Sequence, residues 1–322
     1  MNPNRLQRAL LGVAGVVAAA FLSTVLRAQA PSGTVLDETV VPGINYDKAE
    51  FRLWYPSGAE AVRAILVLVP GSNGDGRAMA EDSVWQGFAV RHHIALIACR
   101  FTDKPHEQNF IEEYVDVSKG SGQALLTALG SFAERTGHAE LASAPFLMWG
   151  MSAGGQFNYE FVAWKPERVV AFVVNKGGIY YSALVPRAAR AVPGILFVGG
   201  KDLEFRTQTI PGLFAVNRRA GALWALAAEP TAGHIVGRSR DIALMFFEDV
   251  LPMRLGQRPS VASAAGALRS LDEKSGFLGD FKAKSFQAMG DAPSPDHPTA
   301  WLPSARVARA WQALVSDRPF DP

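Results

Sequence analysis

Gly150-Met151-Ser152-Ala153-Gly154 follows directly on the apolar run Pro145-Phe146-Leu147-Met148-Trp149. That run has the length and character of a strand buried on both faces, and a helix is predicted to begin near Gly154-Gly155. A G-x-S-x-G pattern between strand and helix makes a sharp elbow, in which the serine takes a strained backbone conformation and lifts its hydroxyl clear of the sheet. Small neighbours are needed because strand and helix cross where a larger side chain would collide. Read this way, Ser152 is a nucleophile in need of a base. The plainer reading is coincidence: glycine fills 30 of the 322 positions, and the pattern fixes only three residues. The partners of Ser152 decide between the two.

Working outward from the elbow, short continuous apolar runs recur at 64–69, 94–99, 146–149, 169–174, 195–198 and 223–227. Each reads as a buried strand. Residues 51–55 have strand character and end at the turn Pro56-Ser57-Gly58. Helical patterns fall at about 77–92, 122–136, 156–164 and 242–251. Strands alternating with helices predict an α/β fold with a mostly parallel central sheet covered by helices on both faces. No internal repeat is present. The chain divides into a leader over 1–30, a catalytic body over 31–255 and a C-terminal extension over 256–322 packed on that body. The extension carries alanine and serine at 261–266, then Pro293, Pro295, Pro298 and Pro303, and closes with a helix around 305–315. Trp301 and Trp311 are expected to anchor it, with the substrate mouth as the alternative place for Trp301.

A hydrophobic fraction of 48% supports a large core and excludes a disordered chain. The leader has Arg5 and Arg8, an apolar stretch over 9–26, and the small residues Ala28-Gln29-Ala30, which is a secretory signal pattern. Pro31 would follow the cut directly, and the apolar stretch approaches the ~17 residues that span a bilayer. A cleaved signal and an uncleaved N-terminal membrane anchor therefore both remain open. Either one predicts an exported body, periplasmic or extracellular. Without 1–30 the formal charge of +2 becomes −1, because Arg5, Arg8 and Arg27 leave with no acid. Nothing in that balance suggests nucleic acid as a partner. Cys99 is the one cysteine, so an intrachain disulfide is excluded, and its apolar neighbours predict a buried thiol.

A serine hydroxyl needs a base within hydrogen-bond reach and an acid to orient that base. Of six histidines, His92 and His93 sit at a helix end, His106 and His138 in loops, and His297 in the proline-rich extension. His234, in Thr231-Ala232-Gly233-His234, lies just past the strand at 223–227, where the carboxyl ends of strands form a functional rim. It is the expected base. Gly199-Gly200-Lys201-Asp202 follows the strand at 195–198 in the same way, which makes Asp202 the expected acid. Glu204 is its rival, and a turn-capping role for Asp202 is the plainer reading.

An acyl-transfer site also needs donors for the oxyanion. The backbone N–H of Ala153, next after the nucleophile, is one. The other is assigned to the N–H of Ser72, in the loop Pro70-Gly71-Ser72-Asn73-Gly74. The same loop has the G-x-x-x-x-G spacing of a phosphate-binding loop, but Arg77 and Ala78 stand where lysine and a hydroxyl residue are required. The dinucleotide pattern fails too, since Met79 stands where a third glycine belongs. Metal-ligand spacings of the H-E-x-x-H or C-x-x-C kind are absent from the sequence.

With these residues in place, residues 51–255 resemble the α/β-hydrolase superfamily, most of all its exported polyhydroxybutyrate depolymerase and feruloyl-esterase-like branch. The likeness is carried by the 70–77 loop, the run Gly150 through Phe157, Gly200-Lys201-Asp202, Gly233-His234, and the chain order serine, acid, histidine. It implies a serine hydrolase of small-molecule or polymeric carboxylic esters that works without a cofactor through an acyl-enzyme. Relatives commonly begin the oxyanion loop with His-Gly, where this chain has Pro70-Gly71, and secreted relatives commonly carry disulfides. Two other functions are weighed beside this one. A serine peptidase is one, since prolyl-oligopeptidase relatives share the fold, though this chain has no room for their propeller. A degenerate hydrolase fold serving as a binding protein is the other. Phe101, Trp149, Phe157 and Tyr159 lie near functional ends, with core packing the leading reading and pocket lining the alternative. Asp103 is read as a solvated loop acid, with substrate contact as the alternative.

Overall fold

A computed structural model describes residues 31–108, 110–256, 268–290 and 297–320. The leader over 1–30, the stretch 261–266, Pro293 and Pro295 lie outside the described residues. The body is built on eight strands: β1 Gly33–Val40, β2 Lys48–Pro56, β3 Ile65–Val69, β4 Ala95–Thr102, β5 Phe146–Met151, β6 Val169–Asn175, β7 Gly194–Gly199 and β8 Trp224–Glu229. They form one sheet in the order β1-β2-β4-β3-β5-β6-β7-β8. From β4 to β8 every pairing is parallel, while β1 and β2 run antiparallel. This is the predicted α/β arrangement.

The continuous apolar strands feed two cores, one on each face, because side chains alternate along a strand. In β3, Ile65, Val67 and Val69 point to one face and Leu66 and Leu68 to the other. The helices are α1 Ser83–His92, α2 Ser121–Thr136, α3 Ala153–Trp164, α4 Arg187–Arg190, α5 Glu204–Arg219, α6 Ser239–Leu255 and α7 Ala305–Val315. Helices α2, α3 and α5 cover the first face, and α1, α6 and α7 the second. No helix among the described residues is long and apolar enough to cross a membrane.

The structure departs from the sequence reading at four places. The helix expected over 77–92 is broken at Asp82, whose carboxylate accepts the N–H groups of Val84 and Trp85 and so starts α1 afresh after a short 3-10 turn. Strand β1 was not foreseen, because as a sheet edge it is half exposed and lacks a continuous apolar run. Helix α5 was not foreseen either: Pro211 and Gly212 interrupt its pattern. The extension adds a small antiparallel sheet of β9 Phe277–Asp280, β10 Ser285–Ala288 and β11 Ala300–Leu302, in the order β10-β9-β11.

That small sheet and α7 shield the β8 edge of the main sheet. Trp301 and Trp311 are fully buried in the second core. The indole N–H of Trp311 donates to the Leu226 carbonyl at 2.7 Å, giving this edge strand a partner it would otherwise find in water or another chain. Trp301 donates to the Glu273 carbonyl at 3.0 Å. It is an anchor of the extension, and the mouth alternative is set aside.

Candidate active site

Between β5 and α3 the chain turns at Ser152, which has φ 55° and ψ −123°. A non-glycine residue is held there only when its surroundings over-determine it. They do: Ser152 N–H donates to the Asn175 carbonyl of β6 at 2.8 Å, and the Ser152 carbonyl accepts from Gly155 and Gln156 N–H at 2.9 and 3.1 Å. The two glycines of the motif have measurable reasons. A Cβ on Gly150 would lie 2.2 Å from the Gly154 carbonyl oxygen, and one on Gly154 would lie 2.1 Å from that of Val69. Strand β3, strand β5 and helix α3 can meet this closely only without those side chains.

His234 stands on the turn after β8, and Asp202 on the turn after β7. The His234 Nδ1 lies 2.8 Å from Asp202 Oδ2, and its Nε2 lies 2.9 Å from Ser152 Oγ. With the carboxylate accepting from Nδ1–H, Nε2 is free to accept the serine proton. The Asp202 carboxylate is buried, at 1% exposure, whereas the imidazole is one-third exposed. Burial alone would raise the Asp202 pKa. Hydrogen bonds from His234 and the Leu203 N–H, with the charges of His234 and Arg206, outweigh it and hold the carboxyl below its usual range. Asp202 also performs the turn-capping role, since Oδ1 accepts from Leu203 N–H at 2.7 Å. The rival Glu204 is exposed and receives the Gln208 amide instead. His92, His106, His138 and His297 lie beside Glu248, Asp103, Glu140 and Asp280, and none of them hydrogen-bonds Ser152. His93 ends α1 in a left-handed conformation.

The Ala153 N–H opens helix α3 and has no intrahelical acceptor, as expected of a first-turn amide. Neither it nor the Ser72 N–H donates to a group among the described residues. Gly71 brings the loop against the serine: a Cβ there would lie 3.6 Å from Ser152 Cβ. The loop is pinned from a direction the sequence did not reveal. Asn73, at φ 54°, donates its backbone N–H to the buried Tyr114 hydroxyl at 3.3 Å and accepts the Asp103 N–H at 2.7 Å. Asp103 in turn accepts from Tyr114 N–H at 3.3 Å and the Asn73 amide at 3.4 Å. Its side chain is 5% exposed and burial raises its pKa. Asp103 is therefore a largely buried strut of the loop, not a solvated acid, and it also borders the cleft beside Ser72, which is where the substrate-contact alternative would place it.

Beside Ser72 opens a cleft of about 370 Å³, lined mainly by polar groups that include Asn73, Lys104, His106, Gln108 and Glu112. The aromatic residues considered for a pocket are elsewhere. Phe101, Phe157 and Tyr159 are buried in the first core and Trp149 in the second. Further polar residues that the sequence patterns do not single out tie the segments of the rim together. Gln156 accepts the Gly178 N–H at 2.9 Å, Arg206 reaches Asp202 Oδ1 at 3.3 Å, and Lys176 pairs with Glu229 at 3.0 Å. Lys176 and Gly178 stand just past a strand end, so the rule that located Asp202 and His234 could have located them.

No family model and no curated protein matches this sequence. Solved structures do. A ferulic acid esterase superposes with a TM-score of 0.50 at 12% identity, over 68% of this chain and 97% of its own. The poly(aspartic acid) hydrolase-1 from Sphingomonas sp. KT-1 gives 0.47 at 15% identity, over 66% and 97%. Esterase PE8 gives 0.46 at 17% identity, over 68% and 98%. Strand order, helical layers and the first of these likenesses agree on the fold. The chain has the α/β-hydrolase fold.

Proposed function

We propose that the protein is a serine hydrolase of carboxylic esters. The observation that carries this reading is the unbroken line from Asp202 Oδ2 through the His234 ring to Ser152 Oγ, at 2.8 and 2.9 Å, ending on a strained elbow. In the first half-reaction Ser152 Oγ attacks the ester carbonyl carbon while its proton passes to His234 Nε2. The carbonyl π electrons move to oxygen, facing the N–H groups of Ser72 and Ala153. Asp202 holds the ring in the Nδ1–H tautomer and stabilises the imidazolium. Collapse breaks the bond to the alkoxy oxygen, which takes the proton from His234 and leaves as an alcohol. A water then repeats the sequence on the acyl-enzyme, releasing the acid and restoring Ser152.

An oxyanion donor is worth roughly 10²–10³ in rate where measured. The polar cleft beside Ser72 supports an ester whose one side carries hydrogen-bonding groups, as a small molecule or as the end of a polymer. The signal pattern over 1–30 supports an exported protein. Hydrolysis of a p-nitrophenyl acyl ester panel by wild type and Ser152→Ala tests the reading. Turnover by the wild type alone is expected, and equal turnover by both contradicts it.

A further inference from the structure

Lys176 and Glu229 form a buried ion pair beneath the rim that carries Ser152, Asp202 and His234. Lys176 has no exposed surface and stands at φ 56°, immediately after Asn175. Its Nζ donates to Glu229 Oε2 at 3.0 Å and to Asn175 Oδ1 at 3.3 Å. Glu229 is 4% exposed, and its other oxygen accepts the Arg238 N–H at 2.9 Å. The carboxylate therefore spans the far end of the turn on which His234 sits.

Each end of this pair touches a segment bearing one of the three residues. The Asn175 carbonyl receives the Ser152 N–H, and its side-chain amide donates to the Val236 carbonyl at 3.5 Å. The Glu229 carbonyl accepts the N–H groups of Gly200 and Ala232, at 2.9 and 3.2 Å. Lys201 N–H, one residue before Asp202, donates to the Ala232 carbonyl at 2.9 Å. Fit is tight on both sides. A Cβ on Gly199 would come 2.9 Å from Lys176 Cε, and one on Gly237 would come 2.3 Å from Glu229 Oε2. Burial lowers the lysine pKa, opposed by the charges of Glu229 and Asp202, so the acid of the site is felt by this cation.

A buried ion pair is a poor source of stability, since well-packed apolar residues of similar volume are often as stable or more so. What the ammonium and carboxylate supply, and apolar packing does not, is direction: each hydrogen bond fixes one strand end against another. We propose that Lys176 and Glu229 are positioning residues, which hold the 230–238 turn at the height where His234 Nε2 meets Ser152 Oγ. This rests on the triad reading above.

The test compares wild type, Lys176→Met and the double variant Lys176→Met/Glu229→Leu. Turnover of a p-nitrophenyl ester is counted per fluorophosphonate-titrated site, at a temperature where circular dichroism shows each variant folded. The single variant, whose buried carboxylate keeps only the partly exposed Arg238 guanidinium at 3.6 Å as a cationic partner, is expected to melt below wild type, and the double variant to recover. Both are expected to lose at least tenfold in kcat per site, with KM within about twofold of wild type. A double variant with wild-type kcat per site overturns the proposal, because the pair would then be packing alone. Loss of titration in the wild type, or titration of Ser152→Ala, strikes the triad reading and leaves a distinguishable signature.

Discussion

Asp202 is gripped from both sides: its Oδ1 lies 3.3 Å from Arg206 Nη1, on the oxygen that His234 does not use. The guanidinium is itself buried, 4.6 Å from the centroid of the Phe205 ring. The carboxylate can neither rotate away from the imidazole nor hydrate freely. Asp202→Asn should therefore leave the fold and KM close to wild type while kcat falls about 10³–10⁴-fold, because an amide no longer selects the tautomer that leaves Nε2 able to accept. A loss under tenfold would remove Asp202 from the role assigned to it.

The same carboxyl sets an acid-side dependence of stability. Its native pKa lies below the ordinary carboxylate value, so the folded state holds the proton less readily than the unfolded chain. The resulting stabilisation is fully present above an unfolded value of about 4, and is lost as pH falls through the lower native one. In urea melts, wild type should lose more stability than Asp202→Asn between about pH 5 and pH 3. Parallel curves would show that Asp202 contributes no such linkage.

Gly154 cannot carry a methyl group without moving the backbone of β3, since the added carbon would sit 2.1 Å from a carbonyl oxygen. Gly154→Ala should destabilise by about 3 kcal/mol or more, the upper range for overpacking. Gly130→Ala, where nothing lies within 4 Å, serves as the control and should be neutral or slightly stabilising. Chemical denaturation of the pair measures the difference, and equal midpoints would contradict the close crossing.

Tyr114→Phe removes the acceptor that holds the Asn73 N–H and leaves the ring stacked on Phe101, at 5.7 Å between centroids. One neutral hydrogen bond is worth about 1 kcal/mol. If the 70–74 loop supplies the proposed oxyanion donor, loosening it should lower kcat about fivefold with KM nearly unchanged. Unchanged steady-state kinetics would show that the loop keeps its shape without this tie.

Cys99 lies on β4 with no exposed surface, and burial pushes its thiol pKa well up. A thiol reagent should leave the native protein unmodified and label one site in denaturant. Rapid native labelling would contradict the packing of β4.

Sequence patterns revealed the frame because the parallel strands are buried on both faces and read as unbroken apolar runs. Ser152, Asp202 and His234 could be nominated for a related reason: each follows such a run. Where an element meets solvent on one side, as β1 does, or contains Pro211, as α5 does, periodicity carried no signal. Asp103 was misread because its burial comes from Tyr114 and Asn73, which are distant in sequence. The place of Lys176 just past a strand end was legible, but its pairing with Glu229 was silent for the same reason, since an ion pair between distant residues has no local pattern.

Every role proposed for the site depends on Ser152 being the nucleophile of a hydrolase. Incubation of wild type and Ser152→Ala with a fluorophosphonate, followed by mass mapping of the adduct, tests it most directly. One adduct per chain is expected on the peptide containing Ser152, and none in the variant. An adduct on another residue, or equal labelling of both proteins, would contradict it.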